Sequence, residues 1–166
     1  MEIVSLTKSD LKSLVQLYRD VSAALRREGI HQWDRFYPNR FVIGSDVKRG
    51  TAFGLHEGGR VIGAVVVDGR QSGKYKGLPW KDQSGDSACI HRLAVHPEWQ
   101  GKGIGRTLLQ YAELEARCKG CTSIRLDVFT GNPGAVGMYQ RAGYAEVGAI
   151  RFPMRHEPYL CFEKPL

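Results

Sequence analysis

The stretch that most constrains this chain runs from Cys89 to Gly105, Cys-Ile-His-Arg-Leu-Ala-Val-His-Pro-Glu-Trp-Gln-Gly-Lys-Gly-Ile-Gly. Its first part is β-rich up to Val95 and reads as a strand. His96-Pro97 ends that strand, because proline has no N–H to give to a ladder. Gln100, Gly101, Gly103 and Gly105 then open a helix near Ile104. Glycines lack Cβ atoms, so the backbone can turn tightly and bring several N–H groups to a ligand. A helix start adds unpaired N–H groups and the positive end of the helix dipole. Strand, glycine loop and helix start together predict an anion cradle.

Two familiar phosphate loops are excluded. The dinucleotide fingerprint needs Gly-x-Gly-x-x-Gly, whereas Gly101, Gly103 and Gly105 are spaced two apart. The Walker A loop needs Gly-Lys-Ser/Thr, and no such tripeptide occurs. The run resembles the Gln/Arg-x-x-Gly-x-Gly/Ala signature of the GNAT N-acetyltransferase superfamily, matched by Gln100, Gly103 and Gly105. A plain glycine-rich connection without a ligand is the competing reading.

Further along, Asn132, Ala135 and Tyr139 match the same family's Asn-x-x-Ala-x-x-x-Tyr pattern, followed by the pair Gly143-Tyr144. The resemblance is strong over residues 87–144; earlier residues match in element order only. The segment from Arg151 to Lys164 resembles the ends of uncharacterised bacterial members.

The resemblance carries specific expectations. The loop of Gln100, Gly101, Lys102, Gly103, Ile104 and Gly105 would bind the pyrophosphate of acetyl-coenzyme A, with Arg106 and Thr107 completing the cradle. Backbone groups of Leu93 and Val95 would pair with the pantetheine as an added strand. The N–H of Leu93 or Ala94 would be the oxyanion donor. Asn132 and Ala135 would hold the pantetheine arm, and Tyr139 would reach the thioester sulfur as general acid. No metal is implied.

One domain spanning 1–166 is the expectation from length. The chain is 42% hydrophobic and 25% charged, an ordinary globular composition. No apolar run approaches the roughly 18 residues of a membrane span. The N-terminus lacks the basic-then-apolar order of a signal peptide. Cys89, Cys118, Cys121 and Cys161 are scattered, so reduced thiols in a cytoplasmic protein are expected. Cys118 and Cys121 have CxxC spacing, but no second pair or His cluster completes a zinc site. The net charge of +7 admits nucleic acid as a partner. The basic residues form no long run, however, and polyanionic coenzyme A also suits a basic surface.

Periodicity places the remaining elements. A first strand covers Glu2 to Leu6. Thr7 and Asp10 form a capping box before a helix over 9–28 with apolar residues at helical spacing. A short helix is placed between Phe41 and Arg49. Strands follow over 51–56 and 60–68, joined by Glu57-Gly58-Gly59. A long loop runs to Asp86, and Trp80 within it either closes over a substrate or covers the core edge. Strands over 87–95 and 123–129 bracket a helix over 104–119. A helix capped by Asn132 and begun by Pro133 comes next, then strands over 144–147 and 159–163. The order β-α-(α)-β-β-β-α-β-α-β-β predicts an α/β (mixed α+β) fold, with helices flanking one mixed sheet. The family resemblance implies the same: a single domain with a mostly antiparallel sheet of about six to seven strands.

Acetyl transfer from a thioester to an amine makes three demands. The amine must lose a proton, the developing oxyanion needs a donor, and the departing thiolate needs a proton or a strong hydrogen bond. Asn132, Ala135 and Tyr139 are three and four apart and share a helical face, which suits the last demand. The plain reading of Tyr139 alone is a core aromatic. For the base, His91 is two residues before Leu93, so strict alternation puts both on one face. Family bases near this position are often acidic, so a histidine departs from the pattern; a structural role for it, and a water chain without a single base, stay open. His31, Asp34 and His96 are further candidates. His31, Trp33 and Tyr37, in an aromatic-rich stretch, and Trp80 are candidates for the acceptor pocket. Two other functions compete with an acetyltransferase: a non-catalytic sensor of acyl-coenzyme A, and a nucleic-acid binder. A homodimer is expected only by family habit.

Overall fold

The computed structural model describes residues 1–166. The chain divides into two compact units, Met1–Val67 with His91–Ala112, and Asp68–Ile90 with Glu113–Leu166. The sheet has seven strands in the order β1-β2-β3-β4-β5-β7-β6. These are β1 (Val4–Ser5), β2 (Ala52–Glu57), β3 (Arg60–Asp68), β4 (Ser87–Val95), β5 (Ser123–Phe129), β6 (Ala145–Ile150) and β7 (Tyr159–Pro165). The helices are α1 (Leu11–Arg27), α2 (Arg40–Lys48), α3 (Ile104–Cys118) and α4 (Pro133–Arg141). The mixed sheet and flanking helices agree with the expected fold class.

In the first unit, the Thr7 N–H donates to the Asp10 carboxylate at 2.8 Å, which starts a short 3-10 turn leading into α1. Leu14, Leu17, Tyr18 and Val21 form the buried stripe of α1, at the spacing that one helical face requires. Gly29, at φ +77°, lies just beyond the end of α1. β2 and β3 pair antiparallel from Ala52↔Val66 to Glu57↔Arg60. Gly58 and Gly59, both at positive φ, turn the hairpin. Gly63 on β3 has a separate use. A Cβ there would lie 3.1 Å from Ile104 Cγ2 and from Leu108 Cδ1, so its absence lets the start of α3 press onto the strand.

In the second unit, β4 runs parallel to β5 through Ser87↔Ser123, Ala88↔Ile124 and Cys89↔Arg125. β7 returns antiparallel to β5 from Ser123↔Pro165 to Phe129↔Tyr159, and β6 pairs on its far side. β5 therefore has one face of Ile124, Leu126 and Val128 and another of Arg125, Asp127 and Phe129. The second face is covered too. The loop over 69–86 lies across it, with Tyr75 and Trp80 buried and the Trp80 indole N–H donating to the Tyr75 carbonyl at 2.9 Å. Trp80 is buried there, at the edge of the core. Buried Arg125 donates to Glu163 at 2.9 Å and to Gln71 at 3.0 Å, and stacks 4.3 Å from the Trp80 ring. Lys81 N–H donates to Glu163 at 2.8 Å. These contacts pin a loop whose length alone suggests mobility.

Candidate active site

The first unit carries the glycine bend. The Gln100 N–H donates to the Pro97 carbonyl, and the next backbone donor with a partner in the protein is Thr107, bonded to Gly103 at 3.0 Å. The N–H groups from Gly101 to Arg106 lie between them and have no acceptor in the protein. Gly101 and Gly103 have φ of +75° and +81°, in the left-handed region. A Cβ on either would meet nothing within 4 Å, so glycine is required there by dihedral angle, not by space. Left-handed residues interleaved with right-handed ones can turn successive N–H groups toward one point, as in an anion nest. The 15-residue α3 adds its dipole at the same place. Arg106 and Thr107 are exposed beside it, and the Lys102 ammonium sits 4.5 Å above the Trp99 ring.

β4 leads into this bend and is itself broken. Arg92 has φ +48°, an unusual angle for a residue with a side chain. Tyr18 donates its hydroxyl to the Arg92 carbonyl at 2.8 Å. The Arg92 guanidinium forks onto Asp46 at 2.9 and 2.8 Å and donates to the Tyr37 hydroxyl at 2.7 Å. Asp46 is 2% exposed, and Arg49 donates to it as well at 2.7 Å. A strained backbone of this kind costs roughly 1–3 kcal/mol and persists only where surrounding contacts hold it. Here the clamp on side chain and carbonyl supplies that hold.

The break has two consequences. It interrupts the alternation that put His91 and Leu93 on one face, so that premise does not hold in the structure. Beyond the break, the His96 N–H donates to the Ile62 carbonyl on β3 at 2.8 Å. Ala94 shares that orientation, and the backbone groups of Leu93 and Val95 face the other edge. The Val95 carbonyl already accepts from the Gln100 side-chain amide at 3.0 Å. Gln100 thus braces the bend against the end of the strand.

The other candidates of this unit fall in different settings. Trp33 is buried, packed edge-on to Tyr18 at 5.5 Å within the core. Tyr37 is 38% exposed and His31 is exposed; His91 is half-buried on β4. Asp34 turns the chain by accepting from the Phe36 and Tyr37 N–H groups at 2.7 and 3.0 Å. His96 is buried, 3.5 Å from Asp20, and accepts from the Glu98 N–H.

The second unit carries the tyrosine. Asn132 caps α4 by accepting from the Ala135 N–H at 3.2 Å, with Pro133 at the first position. Tyr139 is 7% exposed, edge-on to Tyr144 at 5.8 Å and tilted against Phe162 at 6.4 Å. No buried side-chain oxygen or nitrogen lacks a partner. The Tyr139 hydroxyl makes no hydrogen bond, so it lies at the accessible margin of its ring. Burial, then the charge of Asp127, pushes its pKa above the ordinary phenol value, so it stays protonated near neutral pH. Behind it, Tyr144 donates to buried Glu113 at 3.2 Å, and Lys164 donates to both Glu113 oxygens at 2.9 and 3.0 Å. That network fixes the ring on which Tyr139 rests.

Asp127 was not among the sequence candidates. It is half-buried on β5 and accepts from the Tyr75 hydroxyl at 2.7 Å. In the sequence it takes a polar place, beside Arg125, in the alternating strand Ile124-Arg125-Leu126-Asp127-Val128. Local periodicity reads such a residue as one of a polar face; its burial comes from the distant loop that carries Tyr75.

Comparison with known proteins agrees with this geometry. The model of the Acetyltransferase (GNAT) family matches residues 14–144. The uncharacterized N-acetyltransferase YesJ of Bacillus subtilis (strain 168) is 28% identical over 142 residues, covering 84% of this chain and 79% of its own. A GNAT-family acetyltransferase from Streptococcus agalactiae 2603 superposes with a TM-score of 0.83 at 21% identity, covering 99% of this chain and 95% of its own. The PaiA N-acetyltransferase of Thermoplasma acidophilum, solved in complex with coenzyme A, superposes with a TM-score of 0.75 at 22% identity, covering 99% and 98%.

Proposed function

The chain belongs to the GNAT acetyltransferase family, and from that premise we propose that it moves an acetyl group from acetyl-coenzyme A to a primary amine of a small molecule or peptide, with residues 1–166 acting as one acetyltransferase domain. The observation that carries this reading is the unspent run of N–H groups from Gly101 to Arg106 at the head of α3. Such a run, with a helix dipole behind it, suits the doubly charged diphosphate of the cofactor. Arg106, Thr107 and Lys102 add side-chain donors at its margin. The coenzyme A bound to the Thermoplasma protein supports the choice of cofactor.

The rest of the mechanism follows from the demands of the reaction. The outward backbone groups of Leu93 and Val95 hold the pantetheine as an added strand, and the Leu93 N–H donates to the thioester oxygen as negative charge develops there. The amine attacks the carbonyl carbon, the C–S bond breaks, and the electron pair leaves on sulfur. Tyr139 hydrogen-bonds that sulfur and gives it a proton. A buried phenol is a weak acid, but a thiolate leaving in a desolvated site is correspondingly a stronger base. Asn132 and Ala135 steady the pantetheine arm. His31 and Tyr37 lie toward the acceptor. The proton of the incoming amine has His91 as its candidate from sequence.

The test is turnover. Purified protein, acetyl-coenzyme A and a pool of amines (a polyamine, an alanine-terminated peptide, a lysine amide and an aminoglycoside) should release coenzyme A above the hydrolysis background. Saturable binding of coenzyme A without release from any amine would leave a sensor and contradict the reading.

A further inference from the structure

Resting on the acetyltransferase reading, we infer that the acceptor amine belongs to an acidic peptide, whose carboxylates dock on the cationic and aromatic turn between α1 and α2. The first observation is charge. From Arg26 to Gly50 the chain carries six Lys and Arg against three Asp and Glu. All six cations are exposed. Of the carboxylates, Asp46 is buried and holds Arg92 and Arg49, and Asp34 turns the backbone by accepting from the Phe36 and Tyr37 N–H groups. Glu28 is the one left exposed.

The second is rigidity. The Asp34 N–H donates to the Tyr37 carbonyl at 3.0 Å. The Asn39 side chain donates to the Phe36 carbonyl at 3.0 Å and accepts from the Phe41 N–H at 3.0 Å. One amide group thus holds the backbone of both phenylalanines, while their side chains stand 67% and 81% exposed. The Arg35 guanidinium lies 4.7 Å from the Phe36 ring centroid, and Arg40 directly precedes Phe41. Single exposed apolar side chains are ordinary. Two rings fixed on one turn, each beside an arginine, form a surface that needs little further ordering when a ligand arrives.

The third is position. The Arg92 guanidinium donates to the Tyr37 hydroxyl at 2.7 Å, and Arg92 directly precedes Leu93, whose N–H the proposed reaction uses at the thioester oxygen. The turn is therefore tied by one hydrogen bond to the residue beside the reacting carbonyl.

These features choose among amines. Every acceptor arrives with one ammonium. A polyamine, an aminoglycoside or a basic peptide brings further positive charge to this surface and is repelled, whereas carboxylates near the amine are attracted. A free acidic amino acid reaches a guanidinium but leaves the rings uncovered; a peptide of several residues meets both. A nucleic acid also suits cations and rings, but its exocyclic amines are conjugated with the bases and are poor nucleophiles. The docked segment positions its amine, which then attacks the acetyl carbon as in the reaction above.

The test uses the purified protein, acetyl-coenzyme A and two peptides that share an amino-terminal residue, one with glutamates and one with arginines at the positions that follow. Neither carries a second reactive amine. At low ionic strength the acidic peptide should have a kcat/KM at least about tenfold higher, and the difference should shrink as salt screens it. Arg35→Glu/Arg40→Glu should raise KM for the acidic peptide at least about tenfold, leave its kcat within about twofold and remove the preference. Arg35→Lys/Arg40→Lys should keep the preference, and Phe36→Ser should raise the same KM. Should the charge-reversed variant not fold, the salt series on wild type reads the same charge. Equal rates for the two peptides, a preference that survives charge reversal, or free glutamate turned over as well as the acidic peptide would each overturn the inference and leave the acetyltransferase reading standing. So would turnover of the polyamine or the aminoglycoside in preference to both peptides. Tighter binding of a uridine oligonucleotide than of the acidic peptide at equal charge would assign the turn to nucleic acid instead. If neither the peptides nor the amine pool releases coenzyme A, the acetyltransferase reading itself fails.

Discussion

Tyr139 and Asp127 take opposite faces of the β5–β7 ladder: the Tyr139 ring rests 6.4 Å from Phe162, while Asp127 pairs with Cys161 beneath the Tyr75 hydroxyl. Alternation along β5 and β7 is enough to set the phenol and the carboxylate apart in this way. The phenol stays protonated because burial and the nearby negative charge both disfavour its ionisation.

The first expectation concerns that phenol. Tyr139→Phe removes one hydroxyl and leaves the ring packed on Tyr144 and Phe162. Turnover with the amine pool should fall about 100- to 1000-fold, while coenzyme A affinity measured by calorimetry changes less than about twofold. An unchanged rate would mean that the leaving thiolate is protonated by another group or by water.

Gly103 tests the bend. At φ +81° a β-branched residue is a backbone outlier, although space for its side chain exists. Gly103→Val should therefore weaken coenzyme A binding at least about tenfold, or about 1.4 kcal/mol, through lost N–H alignment. Gly58→Val, in the β2–β3 turn, carries similar strain and should leave that affinity alone.

Stability should depend on the Arg92 clamp. The Asp46 side chain is 3% exposed and that of Arg92 10%, so Asp46→Ala strands a buried guanidinium. Breaking one partner of a buried pair costs about 3–5 kcal/mol, to be read from urea denaturation. A loss under about 1 kcal/mol would mean that Arg92 finds water or another acceptor.

Gly63 positions α3 by close approach. Gly63→Ala adds a carbon 3.1 Å from Ile104 and Leu108. Overpacking of this kind costs about 1–3 kcal/mol, and because Ile104 begins the helix of the bend, coenzyme A affinity should fall with it.

Thiol chemistry gives a pH-dependent check. Burial first, then the charge of Asp127, pushes the Cys161 thiol up to about 12. At pH 8 only about one such thiol in ten thousand is ionised, and the thiolate is the reactive form. Maleimide at pH 8 should modify exposed Cys118 in minutes and spare Cys161 until the protein is unfolded. Cys161 labelled in the folded protein would contradict its burial.

Sequence and structure agree where a local signal stops an element. β3, β4 and β5 keep their expected bounds because Gly58-Gly59, Pro97 and Gly120 punctuate them, and the caps at Thr7 and Asn132 act as their residue types require. β1 is only Val4–Ser5 because its sole partner is β2, through Gly54 and Phe53. The misreadings share a cause: partners far apart in the chain. Nothing near Arg92 announces a left-handed angle, since Asp46 and Tyr18, which hold it there, come 46 and 74 residues earlier. The pinned 69–86 loop depends on Arg125 and Glu163, which meet only across the β5–β7 register. Asp127 lies on the face of β5 that Tyr75 and Trp80 cover, and both come from a loop about fifty residues earlier. In the aromatic stretch after α1, composition could not separate Trp33, which joined the core, from Tyr37, which stayed 38% exposed at Arg92.

The most direct measurement is an amide NMR titration of the whole protein with coenzyme A. Diphosphate held by the bend should give its largest shifts at the amides of Gly101 to Arg106, with those of Gly58 and Gly59 unmoved. Saturable binding that leaves the Gly101–Arg106 amides in place while others shift would contradict the account.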